Sequence, residues 1–175
     1  IGNVSANPGT GLVAANVNTV TTPPTTPNTY NITAPFPASV NVGAGETYTS
    51  LTNAGGLFEA LNGGVLTADV TALVTSDLSA ESGAVALNPF SENGVGGYSL
   101  TIRSSAATER LIVGAASAGL IRLNGADRVT FDGRIGGSGR FLRFRNTSSA
   151  AAFLFTNDAT LNTVRASIVE SANTV

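Results

Sequence analysis

The 175-residue sequence contains no cysteine, no histidine and no lysine. Without Cys there is no disulfide, no thiolate nucleophile and no Cys-type metal site. Without His, the commonest general base and the commonest metal ligand are both missing. Charge of either sign is scarce: Asp, Glu and Arg together make up 11% of the chain, against about 25% in an ordinary soluble domain. No apolar run approaches the ~20 residues of a membrane-spanning helix. The first residue is Ile1 rather than an initiator Met, as expected of a mature product or fragment that has lost any signal peptide.

What remains is a chain that can fold. Hydrophobic residues make up 42% of it, enough for one domain with a core. Its polarity comes from Thr, Ser, Asn and Gly, which suit strands and turns. The few charges are unevenly placed. Residues 1–102 hold six acids and no base, whereas residues 103–175 hold nine arginines and five acids. Nucleic acid is not an expected partner, because the net charge is −2 and the basic half lacks interleaved exposed aromatics.

Residues 1–45 lack a core pattern and are expected to form an extended arm or linker. Residues 21–27 (TTPPTTP) favour polyproline II, residues 12–20 (LVAANVNTV) can form one strand, and Pro35 and Pro37 suit a sheet edge. Residues 50–62 (SLTNAGGLFEALN) predict a short amphipathic helix near 53–62. Thr52 or Asn53 would be its N-cap, Leu57, Phe58 and Leu61 its apolar face, and Gly63 its C-cap. From Val65 onward the sequence holds only short strands and Gly-, Asn- or Asp-containing turns. A β-sandwich and a parallel β-helix compete for that pattern.

Spacing favours the β-helix. Leu142, Phe144 and Asn146 alternate, and Phe153, Phe155 and Asn157 repeat the pattern 11 residues later. A similar strand ends at Asn124. Asn124, Asn146 and Asn157 are therefore expected at equivalent turns, where stacked amides form a ladder. The expected core comprises Leu57, Phe58, Leu61, Val70, Leu100, Ile102, Ile121, Leu123, Val129, Phe131, Leu142, Phe144, Phe153 and Phe155.

Several phrases also resemble the opening of a known family. They are residues 46–64 (ETYTSLTNAGGLFEALNGG), 73–87 (LVTSDLSAESGAVAL), 98–104 (YSLTIRS), 120–133 (LIRLNGADRVTFDG) and 143–158 (RFRNTSSAAAFLFTND). They are similar to secreted β-helices of large Bacteroidetes-type surface proteins, many exported by the type IX secretion route and some like gliding adhesins. The resemblance implies a right-handed parallel β-helix over residues 46–175, a capping helix at its N-terminal end, and an extracellular location on the bacterial cell surface. It implies no activity, because that family has no common catalytic motif to place here.

Residues 129–133 (VTFDG), followed by Gly136 and Gly137, also look like the strand-and-turn phrase of β-helical polysaccharide hydrolases. Those enzymes flank the scissile bond with paired carboxylates; Asp127, Asp132 and Asp158 are the candidates here. They expect a His-containing motif as well, which this chain cannot supply, so Asp132 and Gly133 read as a tight turn. Residues 133–139 (GRIGGSG) lack the following helix and the Lys-Ser/Thr pair of a phosphate loop. The acids are too scattered for a Ca2+ site.

The arginines carry more information. Because side chains alternate along a strand, Arg122, Arg143 and Arg145 point outward, while Arg128 and Arg140 sit at strand starts or turns. Together they form a candidate site for an acidic glycan or acidic protein surface. The expected function is a non-enzymatic cell-surface structural or adhesion protein that uses no cofactor or metal and inserts in no membrane. Its expected partners are acidic polysaccharide, or itself and flanking domains of a larger surface protein. Two alternatives stand beside it: a subunit of an extracellular filament joined head-to-tail by the arm, and a polysaccharide-cleaving enzyme.

Overall fold

The structure is a computed structural model that describes residues 34–172, all within the compact unit Thr33–Val175. The expected strand at residues 12–20 and the Pro/Thr-rich stretch lie outside the described residues.

In chain order, β1 (Ser39–Val42) is followed by α1 (Leu57–Gly63), β2 (Val65–Leu66), β3 (Val70–Val74), β4 (Ser91–Glu92), β5 (Leu100–Ser104), β6 (Arg110–Gly114) and β7 (Ile121–Asn124). Then come β8 (Val129–Asp132), β9 (Leu142–Asn146), β10 (Phe153–Thr156), β11 (Thr163–Arg165) and β12 (Ile168–Ser171). Every pairing between these strands is parallel. Strands adjacent in a sheet are not adjacent in sequence. One sheet runs β1-β3-β5-β8-β11, a second β6-β9-β12 and a third β7-β10, with β2 and β4 as a short ribbon. The chain therefore visits each face once per coil, and about four coils stack into a parallel β-helix.

Hydrophobic alternation explains why the strands stack in this register. Ala72, Ile102 and Phe131 face one another on β3, β5 and β8 and point into the core. On the outward side, Ser39, Thr71, Thr101, Thr130 and Thr163 stand in one column across five strands. β-Branched Thr suits that half-covered, pleated position. Inside the coil formed by β8, β9 and β10, one Phe from each strand meets at the axis. Phe131, Phe144 and Phe153 contact edge to face, with centroids 4.8–5.5 Å apart, the favoured geometry for aromatic pairs.

The helix is shorter than expected. α1 starts at Leu57 with Gly56 as N-cap and makes no side-chain capping bond. Thr52 and Asn53 do not cap it, because their side chains bond the following coil: Thr52 to Glu81 and the Gly83 N–H, Asn53 to Ser82 and the Ala80 carbonyl. The C-cap is Gly64 rather than Gly63, its N–H returning to Leu61 O. The apolar face is as expected, with Leu57, Phe58 and Leu61 buried in the end of the core.

Three further expectations change. β1 lies within the stretch read as an arm, yet it pairs with β3, and Phe36 joins the core. The β-helix thus begins before residue 46. Residues 164–169 (VRASIV) read as one strand in the sequence, but the structure divides the stretch between β11 and β12, split where Ala166 takes a left-handed φ of 47°. The asparagine ladder exists with different members. Asn124 Nδ2 donates to Asn88 Oδ1 at 2.8 Å, and Asn157 Nδ2 donates to Asn124 Oδ1. Asn146 stands apart from it, fully buried at a corner where it bonds Ala116, Ser148, Ala150 and Ala151. The 11-residue spacing is a step from one face to the next, β9 to β10. The ladder partners Asn124 and Asn157 are 33 residues apart, one full coil.

Candidate functional site

Of the five candidate arginines, Arg143 and Arg145 share one outward edge of β9, and Arg140 lies in the connection leading into that strand. Arg122 belongs to β7 in a different sheet, and Arg128 sits at the corner before β8. The structure therefore does not gather them into one patch.

Three of the five are engaged by the chain itself. Arg122 donates from Nε to Gly83 O at 2.8 Å and from Nη2 to Ala84 O at 2.7 Å, tying its coil to the preceding one. Arg128, whose φ is 59°, donates from Nε to Tyr98 O and from Nη2 to Glu92, each at 2.9 Å. Arg143 makes a bidentate pair with Glu170, at 2.6 and 3.1 Å, and a longer contact to Glu109 at 3.4 Å. Arg140 and Arg145 are exposed, with no carboxylate in ion-pair contact among the described residues. Arg145 faces Glu170 across β9 and β12, and with Thr147, Glu170, Ser171 and Ala172 it lines a shallow depression of about 370 Å3.

Two of the three candidate carboxylates are turned to the same end. Asp132 accepts from the Arg134 N–H and side chain and pairs with Arg165 on the next coil at 2.7 Å. The Arg134 guanidinium, and then Arg165, hold its carboxyl far below the usual carboxylate range against the opposing effect of burial. Asp127 accepts from Thr160 N–H and Oγ1 of the next coil, which lowers its pKa. Asp158 is exposed at a left-handed turn position, φ 57°. The turn expected at Asp132 and Gly133 falls instead at Gly136 and Gly137, because Asp132 ends β8 and Gly133 still bonds the next coil. Gly133 N–H bonds Arg165 O, and a side chain on Gly133 would overlap the Ala166 carbonyl of the next coil.

Sequence reasoning missed how general this pattern is. At the corners, where the backbone ladder lapses, short polar side chains accept the next coil's amides. Asp69 takes Ser99 N–H, Asp77 takes Leu111 N–H and Asn62 takes Asn88 N–H. Glu81, 2% exposed, takes the Leu51 and Thr52 N–H groups and anchors the turn before α1. One sequence signal was available: Leu61-Asn62, Leu87-Asn88 and Leu123-Asn124 recur, each with a buried Leu before a bonding Asn.

Among the described residues, no group of three or more Asp or Glu could hold a metal ion, and no helix is long and apolar enough to cross a membrane. No family model, curated protein or solved structure matches this chain.

Proposed function

We propose that the chain is a non-enzymatic structural module of a bacterial cell-surface protein, with adhesion to acidic surfaces as its contact chemistry. One observation carries the reading: Asp127, Asp132 and three of the five candidate arginines are spent on bonds between coils, as with Asp127 to Thr160 and Arg122 to Gly83 and Ala84. The resemblance of several phrases to secreted surface β-helices supports the location. Adhesion is left to Arg140 and Arg145, the two candidate arginines that are exposed and outside those bonds. Binding to acidic polysaccharide should weaken steeply with salt, because exposed charges are screened over about 10 Å at 0.1 M. Binding that survives Arg140→Ala with Arg145→Ala contradicts the adhesive part. Release of reducing ends or unsaturated products from acidic polysaccharide, abolished by Asp132→Asn, contradicts the non-enzymatic part.

A second reading, a filament subunit, has its own observation. Phe155, Val164 and Val169 are 43%, 36% and 49% exposed, while Leu123, Phe131 and Phe144, their register partners one coil earlier, are fully buried. These side chains, and the edge of β11, which pairs with no further strand among the described residues, would accept another coil or strand. In this reading a second copy supplies residues 12–20. Full-length protein that stays monomeric at high concentration, or filaments that persist after deletion of residues 1–27, would rule it out.

A further inference from the structure

The chain contains three Asn-Gly dipeptides, Asn62-Gly63, Asn93-Gly94 and Asn124-Gly125. Asn-Gly is the dipeptide most prone to intramolecular imide formation, because glycine has no side chain to impede attack by its own backbone nitrogen. Asn is accordingly among the thermolabile residues. The fold treats the three sites differently.

Two are locked. Asn62 donates from Nδ2 to Ala86 O at 2.8 Å and accepts Asn88 N–H at 2.9 Å, and Gly63 is the last residue of α1. Asn124 is the middle member of the amide ladder, bonded on both sides, and the Gly125 N–H is held by Thr156 O at 2.9 Å. For either to react, a side-chain amide must leave its bonds. At Asn124 the attacking nitrogen must leave a bond as well.

Asn93-Gly94 is different. It opens the exposed loop after β4, in which Gly94, Gly96 and Gly97 all have positive φ, of 92°, 72° and 75°. The Asn93 backbone is fixed, N–H to Leu66 O and carbonyl to Tyr98 Oη. Its side-chain amide and the Gly94 N–H have no hydrogen-bond partner among the described residues.

We propose that Asn93-Gly94 is a spontaneous self-modification site of the folded protein. The Gly94 nitrogen loses its proton and attacks Asn93 Cγ. The N–Cγ bond forms, the Cγ–Nδ2 bond breaks, and ammonia leaves with the proton, giving a five-membered imide. Water then opens the ring at either carbonyl, to aspartate or to isoaspartate, in which the backbone runs through the side chain. No electrons are transferred, water is the only co-reactant, and the chain has no lysine to intercept the imide. The product is a new carboxylate beside Glu92, which already holds the Gly97 and Tyr98 N–H groups and Arg128.

The test is to incubate the full chain at mildly alkaline pH, native and in urea, and follow the amide-to-acid mass change of each Asn-Gly peptide together with isoaspartate content. In the native protein the change should be confined to the Asn93 peptide and vanish in Asn93→Ser. In urea, Asn62 and Asn124 should convert at rates comparable to Asn93. An Asn93 that stays intact in the folded protein while converting in urea overturns the proposal. So does native conversion of Asn62 or Asn124 as fast as that of Asn93.

Discussion

Asn146 shows how a chain with so few charges holds its corners. It is fully buried, accepts from Ala116 and Ser148 N–H, and donates to the carbonyls of Ala116, Ala150 and Ala151. Alanine there strands several buried backbone groups at once, and each stranded group costs ~1–3 kcal/mol. Asn146→Ala should therefore lower stability by roughly 2–4 kcal/mol, read as a drop in the urea midpoint at unchanged slope; a loss under half a kcal/mol would mean the corner is held otherwise. Asp132 gives a pH dependence. Its folded pKa is depressed, by Arg134 first and Arg165 next. Its contribution is thus complete above the unfolded pKa of ~3.9 and is lost as pH falls below it. Stability should stay level from neutral pH to about pH 5, then decline, with a shallower decline in Asp132→Asn. An identical acid profile in the variant would show that the pair carries no linkage.

At the scale of elements, the strands were legible because burial imposes a period of two. β5, β8 and β9 each alternate buried and less buried residues, and their positions can be read from Leu100, Ile102, Val129, Phe131, Leu142 and Phe144 alone. Of the expected core, only Phe153 and Phe155 are not buried. Alternation fixes which way a side chain points, not whether a further coil covers it. The register was harder to read because a strand's partner lies a coil away and coils differ in length. The ladder bonds Asn88–Asn124 and Asn124–Asn157 span 36 and 33 residues. The arginine site was over-read for a related reason. Outward direction was legible, whereas capture by Glu92, Glu170 or the carbonyls of Gly83 and Ala84 depends on that same register. Phe131→Ala should cost about 3–5 kcal/mol, the range for a buried aromatic, and Phe155→Ala far less. Equal losses at both positions would show that the last described coil is covered in solution.

For the molecule as a whole, the account rests on parallel coils stacked in one register, with the outward column Ser39, Thr71, Thr101, Thr130 and Thr163 running along one face. Such a stack is quasi-one-dimensional, each coil touching only its neighbours. Remote parts of the sequence are therefore brought to set distances. Because the chain has no cysteine, Ser39→Cys and Thr163→Cys can carry nitroxide labels without background, and both positions are exposed. Pulsed electron-electron resonance on that pair is the most direct test. Four strand spacings separate the two positions, so the distance should be narrow and centred near ~19 Å, broadened by the label linkers. A distribution centred at more than twice that distance would contradict the parallel β-helix.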